Sequence, residues 1–269
     1  MLLAWALSLL NPAPLRLRRL GYVRQSGLLH ARSRRCRAAW APHLENARGI
    51  VAAAAEATRG RRHAVVLGSG LLDDIPLAIL AQLFGRVSLV DAVHPLPTRL
   101  AARRYRNVAL KTAEISAGSA GDWTGACADA DLVVSANLLS QLPIVPLDAY
   151  EARGREAPPH LGRHIIEAHL AALDTLAGQA ERVCLITDTM QRAEDRAGEI
   201  TNTLDLMFGV ALPRPEAAWD WEIAPFGEIG PRHRLVHRVH AYPDWRAARA
   251  SPRREKRTAP EAQDGPKDL

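Results

Sequence analysis

The stretch from Ala64 to Pro95, AVVLGSGLLDDIPLAILAQLFGRVSLVDAVHP, constrains the fold of this chain more than any other. Four apolar residues, Ala64 to Leu67, stop at Gly68-Ser69-Gly70. A short apolar run closed by a glycine turn reads as a strand buried on both faces, the kind that parallel sheets use. Asp73 and Asp74 follow, and then Ile75, Leu77, Leu80, Leu83 and Phe84 line one face of a helix. This spacing predicts an Asp at the N-cap and Pro76 in the first turn. Gly85 ends the helix, Arg86 to Val90 reads as a second strand, and Asp91 stands at its carboxyl end. Open α/β sheets bind ligands outside the carboxyl ends of their strands. Two such ends here carry a glycine turn and an acid able to accept ribose hydroxyls, so the unit predicts an adenosine-type ligand.

The 269 residues suffice for one large α/β domain with extra pieces at its ends. Cys36, Cys127 and Cys184 are far apart and form no CxxC pair, which excludes a disulfide framework and favours a reducing, cytoplasmic setting. The formal net charge of +6 is unevenly placed: no acid precedes Glu45, while eight arginines lie between Arg16 and Arg37. The end of the chain is basic again at Arg253, Arg254, Lys256 and Arg257. Such ends either contact nucleic acid or another acidic surface, or are simply solvated arms. No aromatics interleave the arginines as a base-stacking surface would require. MLLAWALSLL at the start is too short to span a bilayer and lacks the flanks of a signal peptide. It is expected to be a packing helix, although the acid-free, Arg-rich start also has the composition of a mitochondrial transit segment.

In order, Ala41 to Thr58 reads as a helix and the central unit follows. Pro97 to Tyr105 reads as a helix, Val108 to Leu110 as a third strand with Glu114 just beyond it, and Gly118 to Gly125 as a loop. A fourth strand begins at Asp131 and turns polar at Ser135, Asn137, Ser140 and Gln141, after which Pro143 and Pro146 break the chain. Ile165 to Leu176 is a helix, Arg182 to Ile186 a fifth strand, Gln191 to Glu199 a charged segment. Trp219 to Ile223 and Leu235 to Ala241 are two final strands joined by a Gly/Pro-rich turn. Crossover rules make the first five strands parallel, and the final pair inserts an antiparallel strand. The division expected is a basic helical arm over 1–40, an α/β domain over 41–245 and a disordered basic tail over 246–269.

This order resembles the class I S-adenosylmethionine-dependent methyltransferase fold over about Ala41 to Trp245. The resemblance implies an α/β, Rossmann-like, doubly wound, seven-stranded mixed sheet with a terminal antiparallel strand, plus an N-terminal helical extension. It implies S-adenosylmethionine as cofactor, with the glycine turn Gly68, Ser69 and Gly70 near its methionine part. It further implies that Asp91 holds the ribose, that Glu114 lies near the adenine, and that Ala136 to Gln141 face an unidentified methyl acceptor. SANLLSQLP looks like the post-strand loop of small-molecule methyltransferases. The chain departs from the family at Val66, where an acid is usual, and at Leu72, where a third glycine is common. Asp73 or Asp74 can stand in for that acid or cap the helix.

Methyl transfer needs alignment of a nucleophile and, for a protonated acceptor, a base. His94, Asn137 and Gln141 are the candidates for these roles, and Asp188 ends the fifth strand on the same edge. No NPPY or DPPY follows the fourth strand. Two other readings remain open. One is a binding or scaffold protein that keeps the fold without catalysis. The other is an NAD-type dinucleotide site, since Gly68, Gly70 and an acid about 20 residues on also fit that pattern. Against it, Asp73 takes the place of the third glycine, and a carboxylate there opposes a pyrophosphate. His160, His164 and His169 lack an acid or cysteine at ligand spacing, and no metal is expected. The tryptophans at 219, 221 and 245 are expected to pack.

Overall fold

Every residue of His63–Leu67 is buried, as a central strand with both faces covered requires. The computed structural model describes residues 13–116 and 123–251. Around this strand (β1) lie β2 (Arg86–Asp91), β3 (Val108–Thr112), β4 (Leu132–Ala136), β5 (Arg182–Asp195), β6 (Ile200–Asp205), β7 (Ala217–Ala224) and β8 (His233–Tyr242). They form one sheet in the order β3-β2-β1-β4-β5-β8-β7, with β6 on β5. β1 to β5 pair in parallel, and β8 enters antiparallel between β5 and β7. This is the Rossmann-like, doubly wound mixed sheet that the resemblance implied, with an eighth strand, β6, added to the seven expected.

Helices α1 (Leu15–Leu20), α2 (Tyr22–Arg35) and α3 (Arg37–Ala57) precede β1. α4 (Leu77–Leu83), α5 (Leu96–Ala102), α6 (Ile144–Glu151) and α7 (Leu161–Ala177) fall between strands, and α8 (Trp245–Ala250) follows β8. One face of the sheet packs under α3 and α4 through Val51, Ala55, Val66, Leu80, Val134 and Trp221. The other packs under α7 and α8 through Val65, Val133, Ile166, Leu173, Leu185 and Trp245. Alternate residues of β1, β4 and β5 thus feed opposite layers.

Several expectations need correction. α4 is capped by Pro76 without a side-chain bond, and neither Asp73 nor Asp74 is its N-cap. Both are drawn to other partners, described below. Pro143 and Pro146 do not end regular structure, because they fall at the N-cap and in the first turn of α6, where a missing N–H costs nothing. The charged segment from Gln191 is the second half of β5, which continues to Asp195 and turns back into β6. The residues after Trp245 are not all disordered: Asp244 caps α8 by accepting from Ala247 N–H, and Trp245 is buried. The expected boundary between 40 and 41 falls inside α3. The helix expected over Leu2 to Leu10 lies outside the described residues, as does most of the Gly118 to Gly125 loop. Among the described residues, no helix is long and apolar enough to cross a membrane.

Candidate functional site

The carboxyl ends of β1, β2 and β4 meet at one edge. After β1 the chain turns at Gly68 (φ 69°), Gly70 (φ 47°) and Leu72 (φ 64°). Gly68 is needed for two reasons. Its backbone is left-handed, and a Cβ there would lie 2.8 Å from the Leu138 side chain. Gly70 N–H donates to Asp91 Oδ2 at 2.7 Å, and Thr98 Oγ1 donates to Gly70 O at 2.6 Å, which ties the turn to the end of β2 and to α5. Burial pushes the Asp91 carboxyl up, and the Gly70 N–H and the nearby His94 oppose that.

His94 is buried, and burial lowers its pKa, so the ring is neutral at pH 7. Its Nε2–H donates to Lys111 O at 3.1 Å, which leaves Nδ1 as a bare lone pair. Among the described residues that atom has no partner, nor do the buried Ser69 Oγ and Asn137 Oδ1. Buried polar atoms are rarely left unsatisfied, so these three call for ordered water or a polar ligand at this edge.

The candidates do not form a single cluster. β2 and β4 flank β1, so their ends stand about 10 Å apart. His94 belongs with Asp91 on the β2 side, while Asn137 and Gln141 stand together on the β4 side, where Gln141 Nε2 donates to Asn137 O at 2.7 Å. Asn137 (φ 51°) donates through Nδ2 to Asp74 Oδ2 at 2.7 Å. Burial pushes Asp74 up to about 6, against the opposing pull of Asn137. Asp73 accepts from Ser33 Oγ of α2 at 2.6 Å, and its backbone carbonyl takes the Arg48 guanidinium. Glu114, beyond β3, is bound by Arg16 and accepts from Tyr22 OH at 3.2 Å, while Tyr22 also meets Ser116. Burial raises the Tyr22 hydroxyl to about 12. Leu17 and Val23 pack on Ala92 and Val93, so α1 and α2 cover the ends of β2 and β3.

Local patterns in the sequence missed a second layer. His43 of α3 stacks on Trp221 at 3.9 Å between centroids and accepts Trp219 Nε1–H at Nδ1 (3.1 Å). Its Nε2 lies 3.2 Å from the Asn137 amide, and burial lowers its pKa to about 4. Beside it, Asp188 accepts from Ser140 Oγ and pairs with His237 Nδ1 at 2.6 Å. Burial favours the neutral acid, but the bonds from His237 and Ser140 outweigh it and hold Asp188 below the usual carboxylate range. A register shift between Asp188 and Met190 bends β5 at this point, the device by which bulges re-aim a side chain. His43 lies 94 residues from Asn137 and His237 lies 49 from Asp188, so no motif links them; only the Trp219/Trp221 alternation was visible.

His169 is buried against Trp123 and bonds Ser135 Oγ at 3.1 Å. Among the described residues, no group of three or more His, Cys, Asp or Glu side chains is placed to hold a metal.

No family model matches the chain, and no curated protein matches it. Solved structures do. One is DhpI in complex with SAH, at 15% identity over 82% of this chain and 95% of that one, with a TM-score of 0.37. Another is the N-methyltransferase NodS from Bradyrhizobium japonicum WM9 with S-adenosyl-L-homocysteine, at 13% identity over 73% and 87%, TM-score 0.35. A third is the Burkholderia thailandensis 1,6-didemethyltoxoflavin-N1-methyltransferase, at 15% identity over 72% and 78%, TM-score 0.36. At such identities the similarity concerns the path of the chain alone.

Proposed function

We propose that the chain is an S-adenosylmethionine-dependent methyltransferase. The observation that carries this is the left-handed glycine turn tied to Asp91, with Ser69 Oγ, His94 Nδ1 and Asn137 Oδ1, unpartnered among the described residues, spread along the same sheet edge. These groups fit the cofactor. Gly68 and Gly70 let backbone approach it, and Asp91 accepts ribose hydroxyls. His94, neutral and with a free lone pair, accepts an N–H on the nucleoside side. His94 is therefore assigned to cofactor binding rather than catalysis. Asn137 and Gln141 orient the acceptor from the β4 side. The cofactor supplies an electrophilic methyl group, and the chain's residues align the acceptor and keep water out.

The dinucleotide reading is weaker. A pyrophosphate site needs a helix N-terminus directly after the glycine turn, and α4 begins only at Leu77. Nucleic-acid contact is not part of the proposal. Arg16 and Arg35 of the basic arm bind Glu114 and Glu228 of the same chain, and Arg48 holds the Asp73 carbonyl.

Calorimetric titration with S-adenosylmethionine, S-adenosylhomocysteine and NAD tests the reading. Micromolar binding of the first two, about −8 kcal/mol, is expected and is to be lost in Asp91→Ala. Binding of NAD alone, or of none of the three, would refute it.

A further inference from the structure

A cavity of about 560 Å³ lies beyond the carboxyl end of β3, between α1–α2 on one side and α6–α7 on the other. That volume is in the range that holds a whole small-molecule ligand. Most of its wall is apolar: Leu20 from α1, Val145 and Ala149 from α6, Leu161, Ile165 and Ala168 from α7. Its charge is one-sided. Glu114 is the one carboxylate among the described lining residues, and Arg16 and Tyr22 already bind it. Across from it, Arg153 and Arg155 line the cavity from the turn after α6. Neither guanidinium has a carboxylate partner among the described residues; Arg153 Nη1 donates to Ala149 O at 2.6 Å, which holds it at the cavity rim.

The chemistry of this wall selects its occupant. A small polar anion would lose its hydration against the apolar surface without recovering enough bonds. Arg153 and Arg155 are solvent-exposed at the mouth, where an anionic group could pair with them while its apolar body enters the cavity. We propose that the cavity binds an apolar organic anion, such as an aromatic carboxylic or sulfonic acid. This site does not rest on the methyltransferase reading above.

Two fluorescent probes test it: 1-anilinonaphthalene-8-sulfonate, an apolar anion, and N-phenyl-1-naphthylamine, its neutral analogue. The full chain is expected to bind the anion, and Ala149→Phe, which puts a ring into the cavity, to weaken that binding sharply with an unchanged circular dichroism spectrum. The double variant Arg153→Gln/Arg155→Gln is expected to weaken the anion about tenfold and leave the neutral probe unaffected. Failure of the wild type to bind the anion, insensitivity to Ala149→Phe, or equal weakening of both probes by the double variant would overturn the anion site. Displacement of the anion by saturating S-adenosylhomocysteine would make the cavity the nucleoside end of the cofactor site and overturn a separate anion site. Asp91→Ala is expected to lose S-adenosylhomocysteine and keep the anion. A wild type that binds the anion but not S-adenosylhomocysteine would overturn the methyltransferase reading alone, while supporting the anion site.

Discussion

Gly68 is the residue on which the candidate site is most tightly built. An alanine there would place an L side chain at φ 69° and drive it into Leu138. Gly68→Ala is expected to lower stability by about 2 kcal/mol in urea unfolding. A change under half of that would show that the turn adjusts freely. The buried histidines set the acid limb of stability. His43 and His169 titrate at about 4 in the fold because burial disfavours their charged forms, against 6.5 in a free chain. Between pH 6.5 and 4 the unfolded chain therefore binds more protons, and stability falls as pH falls. Asp74 works the other way: raised to about 6, it loses stability as pH rises from 4 to 6. Each histidine is worth up to ~3 kcal/mol across the window, and Asp74 opposes them. His169→Gln is expected to make stability fall less on acidification. An unchanged slope in urea titrations at several pH values would show that the ring is not the proton-linked group.

At the scale of elements, what was legible depended on how local the signal was. The glycine turn, Asp91 and the buried parallel strands are contiguous runs whose composition is set by two covered faces, and they emerged where expected. β6 and the second half of β5 did not, because β6 is exposed along its whole length and the β5 extension is polar, so neither shows the apolar run or alternation that marks a strand. α6 was hidden by prolines that are harmless in a first turn. The site residues of α2 and α3 were invisible for a different reason: Tyr22 and His43 meet their partners 92 and 94 residues away, and packing alone brings them there. The last helix was hidden by its polarity. Its anchor, Trp245, meets Tyr242 edge-on at 5.3 Å and donates through Nε1 to Asp174 at 2.7 Å. Trp245→Ala is expected to destabilise the protein by about 3–5 kcal/mol in thermal or urea unfolding. A loss below ~1 kcal/mol would mean that α8 is not part of the cooperative unit.

For the molecule as a whole, the arrangement of its N-terminal helices has a kinetic side. Arg16 and Tyr22 hold Glu114 with the same kind of hydrogen bond that a ligand would offer it. In the proposed binding reaction these side chains are intramolecular competitors, always present and never diluted. The measured dissociation constant is then the intrinsic one divided by the fraction of molecules in which Glu114 stands released. Tyr22→Phe removes one competitor bond and is expected to bind S-adenosylhomocysteine more tightly, with the gain in the association rate in stopped-flow mixing. A slower association in that variant would show that Tyr22 assists the ligand instead. The molecule trades occupancy for control: the speed at which its site loads is set by how often a pair of helices lets go.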